Sequence, residues 1–140
     1  MTSSKEIVID YDKLLGDLRP AVRIKFNLSD TQSILCLLDS GADFSTFPVS
    51  IGKKMGINFR DEDPISPPSQ ISGKIKCKCY KVATSFYVSW QTESISLYVI
   101  WVNSNKVHPV LGRKGFFDKF KEVVFCEEEK KLIFRCKPKA

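Results

Sequence analysis

Long apolar runs are missing from this 140-residue sequence. A membrane helix needs ~20 consecutive apolar residues, and the longest run here, LYVIWV at 97–102, is only strand-sized. The opening stretch, MTSSKEIVIDYDK, lacks the apolar segment of a signal peptide. A cytoplasmic protein is therefore expected, with no membrane partner. Histidine is almost absent, His108 being the only one. A serine nucleophile at Ser40 would need a positioned imidazole, and His108 stands beside Pro109 in a stretch that reads as a loop. Cysteine is present but odd in number: Cys36, Cys77, Cys79, Cys126 and Cys136. That count points to reduced thiols. Cys77-x-Cys79 departs from the C-x-x-C knuckle of zinc sites. Both cysteines alternate with Lys76 and Lys78, as on the inner face of a strand. They read as packed thiols, and no metal is expected.

Internal repeats and long linkers are also lacking. The single Pro/Ser-rich stretch, DEDPISPPSQ at 61–70, reads as a loop. Residues 1–140 are thus expected to form one domain, long enough to bury a real core. The net charge of +6 could attract acidic partners. It is spread along the chain, however. Lys74, Lys76 and Lys78 line one strand face, and Lys130, Lys131, Arg135, Lys137 and Lys139 lie near the C-terminus. A solvated face and a solvated tail account for both, so no nucleic-acid partner is expected.

What is present is mostly strand pattern. Alternation of apolar and polar residues predicts strands over 5–10, 21–28, 33–38, 71–83, 84–90 and 94–102. A final hairpin is predicted from 123–126 and 132–135, around the EEEKK turn. Residues 48–56 predict a short helix, with proline at its start, lysines in its last turn and glycine after it. Residues 115–121, GFFDKFK, place Phe116, Phe117 and Phe120 on one helical face as core. Trp90 and Trp101 fall on strands, where they pack or meet a partner. About eight strands and two short helices make a mainly β protein, a closed or nearly closed barrel.

One stretch resists this bland reading. In LCLLDSGADFSTFP (35–48) an apolar strand ends in Asp39, Ser40 and Gly41 and returns at once to apolar residues. Hydrolysis of a peptide bond needs a base for the water and an acid for the leaving group. Two carboxylates held together share one proton and supply both. Gly41 would let the backbone turn tightly beneath the carboxylate, and the Ser40 hydroxyl could bond to an opposing loop. Asp-Ser-Gly occurs only once. Two-fold symmetry resolves the shortage: two identical chains meeting at this loop supply one aspartate each.

At this point the sequence resembles the retropepsins, homodimeric aspartic proteases of retroviral type. LLDSGAD (37–43) resembles their catalytic loop, and RPAVRIK (19–25) the stretch that precedes it. ISGKIKCKCY (71–80) looks like the descending arm of the flap, the hairpin that closes over substrate. VLGRKGFF (110–117), about 70 residues after the catalytic triplet, resembles the Gly-Arg segment leading into the family's helix. The resemblance implies a single-domain, retropepsin-like closed β-barrel with a flap hairpin and one or two short helices, homodimeric. It implies an aspartic endopeptidase that uses water between Asp39 of two subunits, with no cofactor, metal or covalent intermediate, on a polypeptide substrate.

Carried over by position, Asp39, Ser40 and Gly41 are the catalytic triplet. Ala42, Asp43, Ile71, Ser72, Gly73 and Ile75 contact substrate, and Leu37, Val110 and Leu111 join Ile71 and Ile75 in lining apolar subsites. Asp43 pairs with Arg113, and Arg19 reaches the counterpart of Asp43 in the other subunit. Ala42 has no hydroxyl to favour the ionised aspartate, so an optimum nearer mildly acidic to neutral pH is expected. The flap stretch has only Gly73 where the family usually has several glycines. An alternative therefore stands: a catalytically silent module on the same fold that binds a peptide or an acidic partner.

Overall fold

Side chains that alternate between core and solvent build most of the strands. The computed structural model describes residues 5–67 and 77–138. In chain order these form β1 (Glu6–Asp10), β2 (Asp12–Leu14), β3 (Asp17–Arg19), β4 (Ala21–Lys25), β5 (Ile34–Leu38) and β6 (Ser45–Pro48). Helix α1 (Val49–Lys54) follows, then β7 (Cys79–Val88), β8 (Ile95–Val102), β9 (Val110–Leu111), β10 (Phe120–Cys126) and β11 (Lys131–Cys136).

Six strands close a barrel in the order β4-β5-β9-β6-β8-β7. Its longest ladder pairs β7 with β8 in antiparallel register from Cys79↔Val102 to Phe86↔Ile95. Along β7, Thr84, Phe86 and Val88 point inward while Lys81, Ala83 and Ser85 face out. The interior is aromatic: Trp101 meets Phe47 edge-on at 5.3 Å and Phe59 at 5.6 Å, with Phe26 and Phe86 around them. Rings packed edge to face add to the burial they already supply. A separate antiparallel sheet, β1-β11-β10, closes one side of the core with Leu132 and Phe134, both fully buried. Phe134 contacts Trp90 at 4.7 Å and Phe120 at 5.0 Å.

Strand β9 positions the site. It threads between β5 and β6, two strands adjacent in sequence. It runs parallel to β5 (Leu37↔Val110, Leu38↔Leu111) and antiparallel to β6 (Thr46↔Val110). The loop joining β5 to β6, residues 39–44, must therefore pass over the end of β9.

Several expectations are corrected. Residues 115–121 do not form a helical face. Gly115 takes φ +91°, its N–H bonds to Asp118 Oδ1 at 3.1 Å, and a single 3₁₀ turn (Phe117–Lys119) gives way to β10 at Phe120. Pairing of Phe120 with Cys136 draws it into the sheet. Phe116 and Phe120 are nevertheless core, whereas Phe117 is half-buried and stacks on Phe125. The expected break between residues 83 and 84 is absent: β7 runs through it. Trp90 lies in the turn after β7 rather than on a strand. The β2–β3 hairpin and β6 were not expected. The basic C-terminal residues are not simply solvated: Arg135 bonds to both Glu6 and Glu122, Lys131 pairs with Asp10, and Lys130 with Glu127. Among the described residues, no helix is long and apolar enough to cross a membrane.

Candidate active site

Asp39 is the first residue past β5. Its placement begins below it, where Leu37 N–H donates to Pro109 O (3.0 Å) and Leu38 N–H to Pro20 O (2.8 Å). Asp39 N–H then donates to Leu111 O at 3.1 Å. The chain turns at once, Ala42 N–H closing back on Asp39 O at 3.1 Å. Inside that turn Gly41 N–H donates to the Asp39 carboxylate at 2.9 Å. A Cβ on residue 41 would stand 3.3 Å from the same carboxylate oxygen. Glycine thus leaves the amide room to approach the carboxylate. Asp39, Ser40 and Gly41 are exposed, while Ala42 is buried and anchors the turn.

The far half of the loop is fastened to the segment after β9. Arg113 N–H donates to Ala42 O (2.9 Å) and Lys114 N–H to Asp43 O (2.8 Å). Gly112 N–H donates to the hydroxyl of Ser45 (3.0 Å), which is fully buried. Gly112 is crowded by backbone: a Cβ there would lie 2.5 Å from Phe44 O and 2.8 Å from Ala42 O. No side chain fits that gap. The Leu-Gly-Arg segment and the Asp-Ser-Gly segment are therefore one unit, separated in sequence by β6, α1, β7 and β8 yet joined by backbone bonds.

Asp39, Ser40, Gly41, Ala42, Asp43 and Arg113 are brought together at this end of the barrel. Arg19 stands nearby, but within its own chain it donates to Leu14 O (3.0 Å) and pairs with Asp17 at 3.7 Å. Ile71, Ser72, Gly73 and Ile75 lie outside the described residues. Leu37 and Val110 are half-buried beside the loop, whereas Leu111 is fully buried and packs in the core instead of lining a subsite. His108 is exposed in the β8–β9 loop. The five cysteines are free thiols, two of them buried. Ser40 and Arg113 border a hollow of about 580 Å³ shared with Phe117, Val123 and Phe125 of the β10 region. Sequence reasoning missed Ser45 altogether. A serine in an apolar stretch carries no local sign of its role as acceptor for a distant amide.

Neither family models nor curated proteins match the chain by sequence. Solved structures match it in fold. A retropepsin-like aspartic protease from Rickettsia conorii superposes with a TM-score of 0.68 at 15% identity, covering 100% of this chain and 97% of that one. The retroviral protease-like domain of Ddi1 from Leishmania major gives a TM-score of 0.56 at 13% identity, covering 87% and 94%. A mainly β chain with a closed six-stranded barrel and one α-helix, it has the fold of the retropepsin-like aspartic proteases.

Proposed function

We propose that the protein is a homodimeric aspartic endopeptidase of cytoplasmic, reducing surroundings. The observation that carries this reading is the Asp39 loop: an exposed carboxylate on a turn fastened to β9 by backbone bonds and held by the Gly41 amide. Two such loops facing across a two-fold axis set two carboxylates together, and like charges at that distance retain one proton between them. The ionised member takes a proton from water as it attacks the peptide carbonyl. The protonated member gives its proton to the forming oxyanion; the first, now carrying the water proton, then protonates the leaving nitrogen as the C–N bond breaks, and the second takes back a hydroxyl proton from the collapsing diol. The chain supplies one carboxylate, so assembly precedes chemistry. The hollow beside Ser40, with its half-buried Phe117 and Phe125, supports this edge as the contact face. The extended substrate adds as a strand above the loop.

Asp39→Asn tests the reading. Sedimentation at micromolar concentration is expected to give a dimer for both forms, with cleavage of a denatured protein by the wild type alone. A monomer at every concentration, or equal cleavage by the variant, defeats it.

A further inference from the structure

We infer that the hollow between Phe44, Lys81, Tyr98 and Lys114 is an acidic-residue subsite, which binds an aspartate or glutamate of the substrate away from the scissile bond. The inference rests on the protease reading above. Phe44 belongs to the Asp39 loop and directly follows Asp43. Its backbone bridges that of Lys114, in the segment clamped to the loop. Lys114 Nζ stands 4.8 Å from the centre of the Phe44 ring, and Lys81 Nζ is 5.6 Å from that ring and 5.0 Å from the ring of Tyr98. Tyr98 is 58% exposed, a large aromatic left open on the outer face of β8. Together with Leu97 and Gly115 these residues enclose about 240 Å³.

Three features point to a carboxylate. First, ammonium groups over aromatic faces are held in place, so little freedom is lost when an anion arrives. Second, the cations elsewhere that hold fixed positions, Arg19, Arg23, Lys130, Lys131 and Arg135, each have a carboxylate partner. Lys81 and Lys114 have none among the described residues. Two like charges on one ring repel each other, and a carboxylate between them relieves both. Third, the volume suits one side chain and not the groove that a nucleic acid requires. Phe44 directly follows Asp43, so a peptide extended past Asp43 reaches the hollow within a few residues.

The test is cleavage profiling on a peptide library, followed by matched fluorogenic peptides that carry Glu or Gln at the profiled position. Wild type is expected to enrich Asp and Glu at one position at least two residues from the scissile bond. Lys81→Ala and Lys114→Ala each lower kcat/KM on the Glu peptide about fivefold and leave the Gln peptide unchanged. Lys81→Glu with Lys114→Glu shifts the preference to Lys and Arg. Lys53→Ala, on the surface of α1, changes neither. Thermal unfolding of each variant separates folding defects from loss of recognition. Cleavage without acidic enrichment, or enrichment that survives both alanines, overturns the subsite and leaves the protease intact. No cleavage by wild type overturns the protease and the subsite with it. Loss of single-stranded DNA binding in the alanine variants, with peptide preference unchanged, also overturns the subsite.

Discussion

Replacing Gly112 by alanine adds one methyl group at the point where the barrel meets the Asp39 loop. That methyl would lie 2.5 Å from Phe44 O, 2.6 Å from Phe44 C and 2.8 Å from Ala42 O. All three are backbone atoms, so no rotamer change relieves the clash. Either residues 42–44 or the end of β9 must move by roughly 1 Å to restore ordinary contact. Movement of that size strains the bonds from Arg113 to Ala42 O, from Lys114 to Asp43 O and from Gly112 to Ser45 Oγ. Overpacking a tight site costs about 1–3 kcal/mol, and weakening a buried hydrogen bond adds about 1 kcal/mol. The sum, about 2–4 kcal/mol, is a large share of a domain's stability. It should lower the urea midpoint by about 1–2 M. On the proposed protease reading, cleavage should fall further than stability does, because ~1 Å of misplacement at a reacting group costs about 100-fold. Gly56→Ala is the control. Gly56 has φ +90° with nothing within 4 Å of a Cβ, so the cost is backbone strain of about 1 kcal/mol, with no change in cleavage per folded molecule. A Gly112→Ala protein with an unmoved urea midpoint and wild-type cleavage would refute the claim that these contacts set the loop.

Ser45→Ala removes the acceptor of the Gly112 amide without adding bulk. It should destabilise by about 1–3 kcal/mol in urea melts, the cost of an unpaired buried donor, and Ser45→Thr should recover part of that only if the added methyl finds room. Tyr11 is buried and donates to Glu127 at 3.0 Å. Burial first, then the Glu127 acceptor, pushes its hydroxyl up to about 12. The folded chain thus holds this proton more tightly than the unfolded chain does. The resulting stability is complete below about pH 10 and is lost as pH rises toward about 12. Thermal melts across that range should show a steeper alkaline fall for wild type than for Tyr11→Phe. Burial also raises the thiols of Cys36 and, with Cys77 beside it, Cys79, the latter to about 11. Iodoacetamide at neutral pH should therefore label Cys126 and Cys136 in the native protein well before Cys36, as read by mass spectrometry of tryptic peptides.

The Asp39 turn was legible because its constraints are local. An apolar strand ends, a carboxylate follows, and the glycine two residues on supplies the amide it needs. Barrel strands were legible from alternation along 84–88 and 95–99, where every second side chain is buried. The misses have physical causes. Strand β6, STFP, is buried on both faces, so it carries no alternation to read. The β2–β3 hairpin is short and exposes Leu15 and Leu18, so its pattern shows no inner face. Its two-residue turn rests on positive φ at Leu15 and Gly16, and leucine gives no hint of that. GFFDKFK satisfies helical spacing over a single turn. The competing pull came from Cys136, a partner in the last strand that no local window includes.

The reach of β9 explains why fold and site are hard to separate here. The Leu111 carbonyl and that of Pro109, just before the strand, hold the rising side of the loop at Asp39 and Leu37, while Pro20, just before β4, holds Leu38. The C-terminal extension of β9 holds the falling side at Ala42, Asp43 and Ser45. A two-residue strand makes few contacts with the core, yet every bond it makes is either a rung of the barrel or a fastening of the Asp39 turn. Asp39 itself is exposed and contributes little packing, so its orientation depends on these backbone bonds and on Gly41. The carboxylate is consequently fixed in direction while open to its surroundings. That combination suits the proposed pairing of two such groups across an axis, because a buried carboxylate could not reach a partner and a loosely held one would not keep the alignment.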